Sequence, residues 1–110
     1  MMSKYHARKV TIDGHTFDSI KEADRYCELK MQEKAGYIRD LELQPIYILQ
    51  EAFTNRGKKE RAITYRADFR YKRGDDVVVE DVKGMKTDVY KIKRKMFLKR
   101  YGKELIFEEV

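Results

Sequence analysis

The sequence predicts an α/β domain with a central mixed sheet flanked by helices, and three features of the chain predict it. Apolar residues recur at helical spacing in two separate stretches and alternate with polar ones elsewhere. A run of consecutive valines marks a strand buried on both faces. The last strand is reached only through a helix, a crossover that normally sets it parallel to its sheet neighbour. The expected order is a short N-terminal hairpin over 8–17, then an αβββαβ core over 18–110. No repeat, low-complexity tract or linker divides the chain, so residues 1–110 read as one domain.

Residues 8–17 (RKVTIDGHTF) alternate around Asp13-Gly14, a dipeptide suited to the positive φ angles of a tight hairpin turn. From Asp18 the spacing becomes helical, with Ile20, Ala23, Cys27 and Met31 along one stripe, Tyr26 and Leu29 beside it, and Gly36 as a stop. On that stripe Cys27 reads as core filler. Residues 38–50 form an extended stretch whose internal Pro45 suggests a bulge or a sheet edge. Asn55–Glu60 reads as a charged turn. Beyond it Ile63, Tyr65, Ala67, Phe69 and Tyr71 fall on one strand face, with Thr64, Arg66, Asp68 and Arg70 on the other. Gly74-Asp75 turns the chain into Val77–Lys83. A second helix over 87–101, capped by Thr87, presents Val89, Tyr90, Ile92, Met96, Phe97 and Tyr101 on its apolar side. Glu104–Val110 is the closing strand.

Composition limits the functions open to the chain. Charged residues make up 40% of it, and Lys plus Arg exceed Asp plus Glu by 25 to 19, so the surface is densely ionic and favours polyanions such as nucleic acid. No apolar run approaches the roughly 20 residues of a membrane-spanning helix, and Met1–Val10 lacks the apolar segment of a secretory signal, so a cytoplasmic location is expected. One cysteine permits no internal disulfide. With only His6 and His15 beside it, and neither at ligand spacing from a partner, the usual ligands of structural zinc are missing. A bound metal must therefore be held by carboxylates.

Two neighbouring strands supply them. Aspartate is disfavoured in strands, yet Asp68 lies on one and Asp81 near the end of the next. The pleat sends Asp81 and Lys83 to the same face and Glu80 to the opposite one, where Glu80 is expected to be solvated or structurally paired, with a secondary acid role if the strand bulges. Two carboxylates brought together repel. A divalent cation removes that repulsion and takes the hard oxygen ligands that Mg²⁺ prefers. Such a metal polarises a phosphoryl oxygen and activates water, while Lys83 orients that water and offsets transition-state charge.

Asp68 followed by Asp81-Val82-Lys83 across a hairpin, with a helix before and a helix after, resembles the PD-(D/E)XK nuclease superfamily with its restriction-endonuclease-like fold. More narrowly, FDSIKEADRY, YRADFRY, VVVEDVKG and the basic helix that follows resemble small phage- and prophage-encoded resolvase-like nucleases. The resemblance covers roughly 18–110. It implies that Asp68, Asp81 and the Val82 carbonyl are ligands of Mg²⁺ or Mn²⁺ and that Lys83 is the catalytic lysine. Ala67 stands where the superfamily pattern often has proline. Many members place a metal-site glutamate on the first helix, which falls here on Glu22. Ser19-Ile20-Lys21-Glu22 equally fits a capping box that would keep Glu22 out of the chemistry.

The function expected is a metal-dependent endodeoxyribonuclease, structure-selective or weakly sequence-specific, acting in phage DNA recombination, replication or packaging within a bacterial host. Cutting both strands calls for a homodimer. DNA contacts are expected from Lys86, Lys93, Arg94, Arg100 and Arg66. Lys93 and Arg100 fall inside the apolar arc of the second helix, where they either reach phosphate or snorkel back to water. Two other readings stand beside this one: a non-catalytic nucleic-acid-binding subunit of a phage DNA-processing complex, and a purely structural module whose basic charge keeps it soluble.

Overall fold

The computed structural model describes residues 8–82, 84 and 86–110. It is a mixed α/β arrangement of two helices and ten strands among the described residues, and none of its helices is long and apolar enough to cross a membrane. The expected hairpin is present. Strands β1 (Val10–Ile12) and β2 (His15–Phe17) pair across Asp13-Gly14, whose φ angles of 53° and 79° are the left-handed values a two-residue turn requires.

Helix α1 (Ile20–Lys34) begins at Ser19, whose Oγ accepts from the Glu22 N–H at 3.1 Å, as an N-cap should. Its buried face carries Glu22, Ala23, Tyr26 and Leu29. This corrects the expected stripe: Cys27 is exposed and so is not core filler, while Ile20 and Met31 are also exposed. An apolar stripe is a poor guide here because the inward face includes Glu22 and Arg25, polar side chains whose partners lie far along the chain.

The main sheet has the order β10 (Ile106–Glu109), β9 (Asp76–Asp81), β8 (Phe69–Arg73), β3 (Arg39–Leu43). β10 runs parallel to β9 through the helix crossover, and the other pairings are antiparallel, so the sheet is mixed as expected. The 38–50 stretch breaks at Gln44-Pro45. Gln44 adopts a left-handed φ of 53°, and Pro45 cannot donate to a ladder. β4 (Ile46–Gln50) then pairs with β7 (Ile63–Arg66) as a separate ribbon. Asn55–Glu60 is a hairpin and not merely a turn, with β5 (Phe53–Asn55) and β6 (Lys58–Glu60) joined through Arg56-Gly57. With its few apolar residues, alternation gave no sign of these strands.

The strand expected over 63–71 is also two strands, and its apolar residues do not share one face. Phe69 and Tyr71 join Val78, Leu29 and Tyr26 in a core under α1. Tyr65 and Ala67 join Val79, Leu49, Tyr90 and Phe97 in a second core under α2 (Asp88–Tyr101). The chain bends at Ala67-Asp68, where its backbone stays bonded: Asp68 N–H donates to Glu80 O at 3.0 Å, and Asp68 O accepts from Gln44 N–H at 2.9 Å. The central strand serves both cores, with Val78 facing one and Val79 the other, as the valine run predicts. Thr87 caps α2 by accepting from Tyr90 N–H at 3.1 Å. On α2, Tyr90 and Phe97 are buried, whereas Val89 and Ile92 are exposed, contrary to the expected apolar face.

Candidate carboxylate site

Pleating of β9 puts neighbouring acids on opposite sides of the sheet, and both are buried, Glu80 at 0% and Asp81 at 1% exposure. Charges this deep need partners. Glu80, on the α1 side, receives Arg25 of α1 in a two-pronged ion pair, Nε to Oε1 at 2.8 Å and Nη2 to Oε2 at 2.6 Å, and Tyr71 Oη also donates to it. Its role is structural. It fastens α1 to the central strand and thereby fixes where Glu22, one helical turn before Arg25, can reach.

Asp81 faces the α2 side and accepts from Tyr65 Oη. Asp68, half-buried at the bend between β7 and β8, accepts from the Val82 N–H at 2.6 Å through Oδ2. The Val82 amide is thus engaged with the same carboxylate that its carbonyl is expected to join at a metal. Glu22 is 6% exposed, and its Oε2 is buried without a hydrogen-bond partner among the described residues. The capping question resolves into two parts: the Glu22 backbone N–H is bound by Ser19, and its side chain turns inward toward Asp68.

Electrostatics register this convergence. Burial pushes Asp68 up to about 8, helped by the nearby charges of Asp81 and Glu22 and opposed by the Val82 N–H. Glu22 is also raised, first by burial and then by Asp18 and Asp81, with Asp68 and Arg66 acting the other way. Tyr65 is raised by burial and by its bond to Asp81, so it remains a phenol donor. Arg66 is exposed on β7 and close enough to Glu22 to be felt electrostatically. Three acids from α1, the 67–68 bend and β9 therefore meet at one end of the sheet.

As they stand, no three His, Cys, Asp or Glu side chains among the described residues form a ready metal cage. The oxygen donors suit a hard divalent cation. Asp81 and Asp68 each use one oxygen, Oδ2, for an internal donor, Tyr65 and the Val82 N–H respectively. Tyr65→Phe is expected to lower stability by about 1–3 kcal/mol, because it removes a donor from a buried carboxylate; a urea midpoint equal to wild type would contradict this.

Lys83, the expected catalytic lysine, lies outside the described residues, as does His6. His15 is exposed. Of the expected nucleic-acid contacts, Lys86 and Arg94 both approach Glu109, at 3.3 and 3.6 Å. Lys93 is half-buried on α2, three residues after the buried Tyr90 and four before the buried Phe97. Arg100 does not join the carboxylates; it pairs with Glu51 at 3.1 Å and lies over the Tyr101 ring. Sequence reasoning did not find the Tyr65 contact to Asp81: the two residues are 16 apart in the chain, and no local spacing signals the pair.

Residues 2–107, nearly the whole chain, match the family described as "Protein of unknown function (DUF1064)". The chain belongs to the DUF1064 family. No curated protein and no solved structure matches it. For this DUF1064 chain, chemical reasoning therefore starts from the three acids and the groups that hold them.

Proposed function

We propose that the chain is a PD-(D/E)XK-type nuclease with a restriction-endonuclease-like core, hydrolysing DNA phosphodiester bonds with Mg²⁺ or Mn²⁺. The observation that carries this reading is the meeting of Glu22, Asp68 and Asp81 from three separate elements, with the Asp68 carboxyl pushed up to about 8. Like charges gathered in a half-buried site cost stability unless a cation or a proton offsets them. Selection for folding alone would disperse them.

Asp68 and Asp81 would hold the metal, with Glu22 and the Val82 carbonyl completing the protein's share. When bound, the metal supplies Lewis acidity toward a phosphoryl oxygen and a lowered pKa for water. The chain's own groups do the rest. The Arg25–Glu80 pair keeps α1, and with it Glu22, against the sheet. Tyr65 orients Asp81. Arg66, close enough to Glu22 to be felt electrostatically, would meet a phosphate, and Lys83 would orient the attacking water. Cutting both strands calls for a homodimer, and the setting that fits the resemblance is phage DNA processing in a bacterial cytoplasm.

The test is cleavage of labelled duplex, single-strand, flap, fork and four-way-junction DNA with Mg²⁺, Mn²⁺ or EDTA. Asp81→Asn and Lys83→Ala are compared with wild type. Metal-dependent cutting lost in both variants is expected. Binding without cutting under every metal would replace the proposal with a non-catalytic nucleic-acid-binding subunit.

A further inference from the structure

Beyond the carboxylates, a strongly charged open groove of about 520 Å³ lies between α2 and β10. Among the described residues four cations line it, Lys86, Lys91, Arg94 and Lys95, against a single acid, Glu109. Lys91, Arg94 and Lys95 are spaced three and four apart, so one helix face carries them. Lys91 and Lys95 are exposed and have no ion-pair or hydrogen-bond partner among the described residues. Arg94 is braced differently: its guanidinium lies over the Phe107 ring, 5.7 Å from the centroid, and its buried Nε has no hydrogen bond among the described residues.

Glu109 occupies this groove from within. Its carboxylate accepts from Tyr90 Oη, meets Lys86 Nζ at 3.3 Å and lies 3.6 Å from Arg94 Nε. Those are the contacts a phosphate would make with the same cations, because both ligands present anionic oxygens to them. The position ties the groove to the carboxylate site: Glu109 is paired with Asp81 in the parallel β9–β10 register. A strand whose phosphate sat at Asp81 would meet Lys86 and Arg94 one strand spacing away, then Lys91 and Lys95 along the helix.

We propose that this groove is a track for the sugar-phosphate backbone of DNA, and that Glu109 is a built-in placeholder which backbone phosphate displaces from Lys86 and Arg94. The identity of the ligand as DNA rests on the nuclease reading above; the groove and its internal acid do not. Removing the placeholder's charge should therefore tighten binding, and by more than neutralising an exposed acid outside the groove such as Glu104.

The experiment is fluorescence anisotropy of a labelled DNA duplex across a salt series in EDTA, where no cutting occurs, with wild type, Lys91→Ala/Lys95→Ala and Glu109→Gln. Thermal melts accompany each to verify folding. The double variant removes only exposed side chains and is expected to bind on the order of tenfold more weakly, with the slope of log K against log[salt] shallower by about 2. Glu109→Gln is expected to bind several-fold more tightly. Wild-type affinity and slope in the double variant, weaker binding by a folded Glu109→Gln, or no DNA binding by wild type would each overturn the proposal. Wild-type cleavage with Mg²⁺ is scored separately. Binding that follows the expected pattern without cleavage would sink only the nuclease reading, and cleavage with an unaffected double variant would sink only the groove.

Discussion

Asp68→Asn is expected to abolish metal-dependent cleavage, by at least about a hundredfold, while making the metal-free protein more stable at alkaline pH. The two effects have one cause. In the folded chain Asp68 is pushed up to about 8, from an ordinary value of 3.8, by burial and by Asp81 and Glu22. The folded state thus keeps a proton that the unfolded chain releases. The associated stability is fully present below about pH 4 and is lost as pH rises through about 8. Glu22, also raised, acts in the same direction. An asparagine can still accept from the Val82 N–H but brings no charge toward Asp81.

In EDTA, wild-type melting temperature should fall between pH 5 and 8.5, and the variant's should fall less, ending higher by on the order of 5 °C. Mg²⁺ should stabilise wild type increasingly over the same range, because it displaces the proton, and should leave Asp68→Asn unmoved. Parallel pH profiles for the two proteins would remove the electrostatic basis of the site, and residual full cleavage by the variant would remove its catalytic role.

The second large effect is structural. Arg25→Ala strands the fully buried Glu80 carboxylate with Tyr71 as its only other donor among the hydrogen bonds described above, and breaking one partner of such a pair costs about 3–5 kcal/mol. Replacing both members, as in Arg25→Met/Glu80→Met, should recover most of that loss, since two apolar side chains can fill the volume without a desolvated charge. Urea unfolding of Arg25→Met, Glu80→Met and the double variant closes the cycle and gives the coupling. A loss below about 1 kcal/mol in Arg25→Ala would mean the pair behaves like a surface contact.

The parts of the fold that were legible in the sequence are those set by short-range rules. Asp13-Gly14 specified its hairpin, Ser19 and Thr87 capped their helices, and the pleat alone separated Glu80 from Asp81. The helix crossover required a parallel final strand, and β10 is parallel. What escaped depends on contacts distant in sequence. The inner face of α1 was misplaced because Arg25 is drawn inward by Glu80, 55 residues away. The apolar face of α2 was drawn too wide because helical spacing does not say where the covered arc stops, and Val89 and Ile92 lie outside it.

Alternation over 63–71 was read correctly as extended chain, but a bend preserves alternation while changing which side each residue faces. Glu22 shows the limit most clearly. Its backbone fits a cap and its side chain fits a site, and only the fold shows that both can hold at once.

Ala67 and Phe69 are two residues apart, yet they enter different cores, one under each helix. The polypeptide therefore rotates about its own axis at Asp68, and the residue that makes the rotation also carries the perturbed carboxyl. Inserting or deleting one residue between Arg66 and Phe69 would exchange the inward and outward sides of everything that follows in β8. Architecture and chemistry are thus locked to one sequence position: the acid cannot migrate along the strand without turning one of the two cores inside out.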